Sequence, residues 1–356
     1  MNQLSTFGWT DEFSQKWDSL NLVDVQPARV IADFGTSLKI ALPQIITAEL
    51  SGKLAHHSNR EFVPKVGDWV AVRVADSGHA IIEAVVPRRS EIARKVTGHR
   101  TVKQVIAANV DIAFVLLSLD NDFSVERLKR FLYQLSINHI EPVIVLNKAD
   151  KTDDIESYVD QLRTLKLPII ISSAISESGV PEMLDYIEVG HTAILLGSSG
   201  VGKSTITNRL LGRSVQATQV IRGSDETGRH TTVHRELFIL PGGGLLIDTP
   251  GIRELQLWGT QTDLDDNFDD VATLIGQCKY STCQHGNEEG CAVRVALING
   301  TLLSSHLASY KKMKSELANL KERNFVILKR KNKKTKKKLS RQSRDRDIAE
   351  DIHSQT

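Results

Sequence analysis

Between residues 25 and 95 apolar and polar positions alternate over short runs: ARVIADF, SLKIAL, IITAEL, GDWVAVRV and AIIEAVV. Gly35, Gly52, Gly67-Asp68 and Ser77-Gly78 punctuate them. Period-two runs divided by turn residues predict short strands with one buried face, and this number of them predicts a small barrel. A five-stranded oligonucleotide-binding (OB) barrel fits the length, and an SH3-like barrel fits almost as well. From residue 111 the rhythm changes. DIAFVLLSL, EPVIVLN, LPIIISSA and HTAILLG are strand-length apolar runs, and the stretches 125–135, 155–165 and 180–187 between them carry apolar residues at helical spacing. Near-continuous apolar strands divided by helices predict a mostly parallel sheet covered on both faces, with ligands at the strands' carboxyl ends. After residue 251 come an acidic stretch (DLDDNFDD), a compact Cys/His cluster, and two predicted helices at 292–298 and 302–321, broken by Asn299-Gly300.

Composition refines this organisation in two places. The apolar runs are too short to cross a membrane, and the first 20 residues hold acidic and polar side chains where a signal peptide needs a basic start and an apolar core. A cytoplasmic protein without a membrane partner, and without disulfides, is expected. The net charge of +2 hides an asymmetry, because 329–344 (KRKNKKTKKKLSRQSR) contains ten Lys or Arg and no acid. Without that run, 35 basic residues face 43 acidic ones. Such a run folds poorly alone and suits contact with a nucleic-acid backbone, although a solvated tail has the same composition.

Two glycine-rich motifs carry phosphate chemistry. Gly197-Ser198-Ser199-Gly200-Val201-Gly202-Lys203-Ser204 fits G-x-x-x-x-G-K-[ST], follows the strand HTAILL and opens a helix at Thr205. In that context the glycines let backbone N–H groups converge on phosphate oxygens, Lys203 reaches the outer phosphates and Ser204 ligates Mg²⁺. Asp248-Thr249-Pro250-Gly251 ends the next predicted strand, where Asp248 can hold the Mg²⁺ shell and the Gly251 N–H can sense a γ-phosphate. Between them lies RGSDETGRHTT, in which Thr231 or Thr232 completes the Mg²⁺ shell.

A base-reading motif comes earlier in the chain. Asn147-Lys148-Ala149-Asp150 follows the strand PVIVL, and an ionised Asp150 matches the adjacent N1–H and amino donors of guanine, which adenine does not present. Asn147 supports the loop, the Lys148 stem lies along the base plane, and Ser172-Ser173-Ala174 offers N–H groups to guanine O6. These features predict a GTP/GDP site whose base-reading half precedes its phosphate half. Ordinary GTPases have the reverse order, so a circular permutation is expected.

Cys278, Cys283, His285 and Cys291 form Cys-x4-Cys-x-His-x5-Cys, a Cys₃His set suited to one structural Zn²⁺.

The permuted motif order, G-R-H-T-T, D-T-P-G-I-R-E and the Cys/His spacing together resemble the RsgA (YjeQ/EngC) family, over roughly residues 25–323. That resemblance implies an N-terminal OB domain, with Gly67-Asp68-Trp69-Val70 as a matching segment. It also implies binding to the 30S ribosomal subunit and its 16S rRNA in late maturation, slow GTP hydrolysis stimulated by that subunit, and a monomer off it. Ile252 stands where many GTPases place a water-orienting glutamine, and Gly200 stands where some relatives carry a potassium-assisting asparagine. His230 is the candidate to position water, a role the resemblance also suggests. The expected fold is an α/β circularly permuted P-loop GTPase domain (99–254) after an extension (1–24) and an OB-type barrel (25–98). A zinc-binding helical domain (255–326) and a basic tail (327–356) complete it. A nucleotide-gated RNA-binding module with incidental hydrolysis is the alternative; a P-loop kinase or ATPase is disfavoured by Asn147 and Asp150.

Overall fold

The computed structural model describes residues 3–35, 37–42, 44–55, 63–75, 78–95, 103–173, 175–176, 178–212, 235–249 and 257–322. These form two compact units, one of residues up to 249 and one of residues from 257.

The first strands of the first unit are β1 (Gln26–Asp33), β2 (Leu38–Ala41), β3 (Ile45–Leu50), β4 (Trp69–Val74) and β5 (Ala80–Val85). Antiparallel pairs β1–β2, β2–β3, β4–β5 and β1–β4, with β3 parallel to β5, close the ring β1-β2-β3-β5-β4-β1. This is the five-stranded OB barrel, and of the two barrels compatible with the sequence it is the one adopted. The alternating apolar positions read from the sequence fill it: Val30, Ile40, Ala48, Val70, Val72 and Ile82 are all buried inside.

A hairpin of β6 (Glu91–Lys95) and β7 (Lys103–Ala108) leads into the second layer of strands. These are β8 (Ile112–Ser118), β9 (Glu141–Asn147), β10 (Ile169–Ile171), β11 (Thr192–Gly197), β12 (Arg235–Ile239) and β13 (Leu245–Asp248), in the order β10-β9-β8-β11-β13-β12. All pairs are parallel except β12–β13. Strand β8 shows why its sequence is continuously apolar: Ala113, Val115 and Leu117 enter one core, and Ile112, Phe114 and Leu116 the other. Leu128, Phe131 and Leu135 of the helix Val125–Ser136 cover the first face, while Met183, Ile206 and Leu210 cover the second.

Barrel and sheet share β1. Its early residues pair with β4, and Ala32 and Asp33 pair with Glu236 and Arg235 of β12, so eleven strands are hydrogen-bonded in one series. Arg29, on β1, is fully enclosed and donates to Phe7 O (2.9 Å), Asn109 O (3.3 Å) and Thr192 Oγ1 (3.2 Å). Burial lowers its pKa to about 10 although Asp111 and Asp68 pull it upward, and it remains charged. The N-terminal stretch taken from sequence as a plain extension folds as two helices, Gln3–Thr6 and Asp11–Asp18. Phe13 and Trp9 pack on buried Trp69, with the Trp9 and Trp69 rings edge-to-face at 4.7 Å.

One helical expectation changes, and two helices are added. The predicted helix at 155–165 is an α-helix only over Ile155–Asp160, followed by a 3₁₀ turn at Arg163–Leu165, because Leu162 turns into the core and Leu165 N–H bonds three residues back. The acidic stretch, to which the sequence assigned no element, forms two helices of the second unit, Gln261–Asn267 and Asp269–Gly276, the first started by a capping box between Thr260 and Asp263. Helices Ala292–Ile298 and 304–322 complete that unit, whose apolar interior includes Leu264, Phe268, Val271, Val293, Tyr310 and Met313. Among the described residues no helix is long and apolar enough to cross a membrane.

Candidate functional site

The motifs meet at the carboxyl ends of the parallel strands, where the strand order reverses between β8 and β11. Register places Asn147 beside Ser118, and Gly197 beside Leu116. A cavity of about 630 Å³ opens there, walled by Asn147, Lys148 and Asp150 on one side and by Gly200, Gly202 and Thr205 on the other.

The phosphate-type loop from Gly197 runs into the helix Lys203–Leu210. Gly202 sits at φ 104°, a conformation costly for side-chain-bearing residues, and a Cβ there would collide with Asn147 Nδ2. Gly197 is equally constrained, since its Cβ would lie 2.7 Å from Leu116 O. Lys203 Nζ lies back over the loop and donates to Gly197 O (2.7 Å) and Ser198 O (2.5 Å). Its stem therefore spans the concavity in which phosphate oxygens would sit, while Ser204 and Thr205 are exposed beside it.

Asn147 ties the two halves together. Its side chain is buried and donates to Val201 O at 2.7 Å, 54 residues onward. Lys148 follows in the left-handed region (φ 65°), and the Ala149 N–H donates to Ser172 O at 3.1 Å. Ser173 Oγ donates to Asp150 Oδ1 at 2.6 Å, a bond that holds the Asp150 carboxyl below its usual range. Asp150 is thus an ionised acceptor with a free edge on the cavity. Val201 and Ser172 are buried, and Ser199 and Gly200 are at the loop's exposed rim. Asp248 ends β13, whose Ile247 is in register with Ile194 of β11, so it projects from the same rim as the loop. Ala174, His230, Thr231, Thr232 and Gly251 lie outside the described residues.

The segment after β8 contains site residues that motif reading passed over. Asp120 accepts from Ser118 Oγ (2.7 Å) and Lys148 Nζ (2.9 Å), and its other oxygen accepts from the Asp122 N–H (2.9 Å). Burial pushes the Asp120 carboxyl up, but those three donors together outweigh it and bring it down to about 2. Asp122 accepts from Ser198 Oγ of the loop and from both terminal nitrogens of Arg127. The available signal was a D-x-D at the carboxyl end of an apolar strand, which has no standard motif attached.

In the second unit the four Cys/His ligand atoms lie within 4.8 Å of one another. His285 Nδ1 is 3.6 Å from Cys278 Sγ and 3.8 Å from Cys291 Sγ. A tetrahedral ion with Zn–S near 2.3 Å and Zn–N near 2.0 Å sets such edges at roughly 3.5–3.6 Å, so the donor set fits. Backbone N–H groups of His285 and Arg294 point at Cys283 Sγ and Cys291 Sγ, each at 3.4 Å, as they would toward thiolates. Burial and the neighbouring sulfurs push the Cys283 thiol up to about 11, the penalty of crowding thiolates without a cation. The cluster can therefore hold a metal ion.

Comparison with known proteins agrees with this geometry. The RsgA GTPase family model matches residues 85–258, and a model described as 50S ribosome-binding GTPase matches 192–331. A protein of Opitutus terrae named small ribosomal subunit biogenesis GTPase RsgA is 39% identical over 361 residues, covering 98% of each chain. The chain belongs to the RsgA GTPase family. The crystal structure of YjeQ from Thermotoga maritima covers 83% of the chain and 99% of its own, with TM-score 0.59 and 26% identity. YloQ, whose structure is titled a circularly permuted GTPase, shares the fold at TM-score 0.56 and 23% identity, over 83% of this chain and 96% of its own. As an RsgA-family member the protein is a GTP-hydrolysing enzyme. Its strand order explains how a permuted chain keeps a working sheet: the base-reading strands β8 to β10 and the phosphate strands β11 to β13 occupy separate halves of the sheet, so their order in the chain can be exchanged without changing their neighbours.

Proposed function

We propose that the protein is a slow GTPase of small-ribosomal-subunit biogenesis, which binds GTP or GDP in the cavity between Asp150 and the Gly197–Thr205 loop. The observation that supports this most directly is the Asn147–Val201 hydrogen bond, which fixes a guanine-type acceptor and a phosphate-type loop on opposite walls of one cavity. Asp150 accepts from guanine N1–H and its amino group, Lys148 covers the base, and Ala174 is left to offer an N–H to O6, because the N–H groups expected from Ser172 and Ser173 are taken by Leu146 O and Ser178 O. Backbone N–H groups of Ser198–Thr205 and the Lys203 ammonium neutralise the β- and γ-phosphates. Ser204 and Asp248, with Thr231 or Thr232, hold Mg²⁺, which when bound spreads the charge of the transferring phosphoryl group. Gly251 senses the γ-phosphate and His230 orients water. With Ile252 in place of a glutamine, intrinsic turnover is slow.

The curated relatives' names, the OB barrel and the basic run at 329–344 support the 30S subunit and its 16S rRNA as the stimulating partner, met by a cytoplasmic monomer. The ion at Cys278, Cys283, His285 and Cys291 is Zn²⁺ and structural, since all four positions are protein ligands. GTP favours docking, and hydrolysis favours release.

Binding assays test the nucleotide half. Asp150→Asn replaces an acceptor edge with a donor, and GTP affinity is expected to fall about 10- to 100-fold, one or two charge-assisted hydrogen bonds. Equal affinity of wild type for ATP and GTP would refute guanine selection. Co-sedimentation with 30S subunits tests the other half: equal retention with GDP and with a non-hydrolysable GTP analogue would sink the switch.

A further inference from the structure

Neither Asn147–Asp150 nor the Gly197–Ser204 loop includes the stretch that follows β8, yet Asp120 and Asp122 bind one residue from each half of the nucleotide site. Asp120 holds Lys148 Nζ at 2.9 Å, 28 residues onward, and Asp122 holds Ser198 Oγ, 76 residues onward. The two are joined to each other, because the Asp122 N–H donates to Asp120 Oδ1. Behind Asp122 stands Arg127, in the first turn of the helix Val125–Ser136, with Nη1 and Nη2 at 2.9 and 3.0 Å from the two carboxylate oxygens. A carboxylate beside a loop built for phosphate would ordinarily repel the ligand. A bidentate guanidinium cancels that charge while leaving an oxygen to accept from Ser198, so the pair keeps the geometric benefit without the electrostatic penalty.

We infer that Asp122, neutralised by Arg127, is a positioning residue of the phosphate loop, acting through the Ser198 hydroxyl. Ser198 is the first residue after the β11 terminus, and the loop's N–H groups fan out from it. Fixing its side chain to the end of β8 fixes where that fan begins. Asp120 does the same for Lys148 on the base side, and the short run 118–122 is the bracket that spaces the two halves. The inference rests on the reading of Gly197–Thr205 as the phosphate loop.

Equilibrium binding of a fluorescent GTP analogue and of its GDP counterpart to the full chain tests it, with thermal melting followed in parallel. Asp122→Asn and Ser198→Ala are each expected to weaken both nucleotides about 5- to 30-fold, the span of one partly exposed charge-assisted hydrogen bond. Their double variant should be no weaker than the worse single one. Arg127→Gln exposes the bare carboxylate and should weaken GTP more than GDP, and adding Asp122→Asn should remove that difference. The melting temperature of Asp122→Asn should stay within a few degrees of wild type. Wild-type-like affinity of Asp122→Asn, or additive effects with Ser198→Ala, overturns the positioning role; so does tighter binding, which would mean the carboxylate repels. If Lys203→Ala binds as tightly as wild type, the phosphate-loop reading fails instead. Should Asp122→Asn melt early, Asp122→Glu decides: restored nucleotide affinity supports the role, and restored melting without restored affinity overturns it.

Discussion

The two units of the chain keep their shape by different means. The nucleotide sheet is sandwiched: every residue of β8 is buried, with odd and even positions feeding separate apolar layers. Among the described residues the second unit has four helices, three of them of eight residues or fewer, around a small interior that holds Phe268, Tyr310 and Met313. Its Cys/His loop from Cys278 to Cys291 contains no helix or strand, and four converging ligands stand where a core would be. One unit is built from buried area, the other from a donor set, and they should therefore fail under different insults.

Metal removal should separate them most widely. Chelation, or Cys283→Ser, is expected to release one ion per chain and collapse the second unit's helical signal, since such ions carry roughly 10 kcal/mol or more of folding free energy in small domains. Guanine-nucleotide binding by the first unit should survive. Metal analysis with circular dichroism and nucleotide titration reads both, and retention of the ion by Cys283→Ser would break the contrast. Next in size, Phe114→Ala removes a fully buried ring from the sheet's second core and should destabilise the first unit by about 3–5 kcal/mol in denaturant titration, with metal content unchanged. A smaller change in the second unit comes from its capping box: Thr260→Ala should cost about 1 kcal/mol of that unit's stability and leave GTP affinity alone.

The smallest effect concerns acid. The Asp120 carboxyl is depressed in the folded state to about 2, so its contribution is fully present above its ordinary unfolded value and is lost as pH falls from there through about 2. Wild type should therefore exceed Asp120→Asn in stability at neutral pH, and the gap should close in that acid window. An equal gap at neutral pH and in strong acid would remove Asp120 from the bracket.

What sequence could and could not disclose follows the same division. The loop Gly197–Ser204 and Asn147–Asp150 were legible because their function demands particular backbone freedom and particular acceptors at fixed spacing. The Cys/His set was legible because ligand spacing is itself local. The Asp122–Ser198 and Asp120–Lys148 contacts were not, because nothing in a D-x-D announces partners 76 and 28 residues away. The helices at 261–276 hid behind their charge: in a run this acidic the few apolar positions are sparse, although Asp263, Asp269 and Asp270 stand in the first turns, where they favour a helix start. In the N-terminal stretch, the aromatic residues Trp9, Phe13 and Trp17 had a visible helical spacing but no visible destination until Trp69 was placed beneath them.

Strand β1 exchanges partners along one edge, from β4 of the barrel to β12 of the sheet, within three residues. It works as a shared rail: the barrel cannot slide or swivel on the nucleotide half without breaking ladder bonds at Ala32 and Asp33 or dislodging the enclosed Arg29. A molecule gripping the barrel is thereby indexed to β12, the strand that begins directly after the 213–234 stretch carrying His230, Thr231 and Thr232. Whatever the barrel holds, it holds at a set distance from the start of β12.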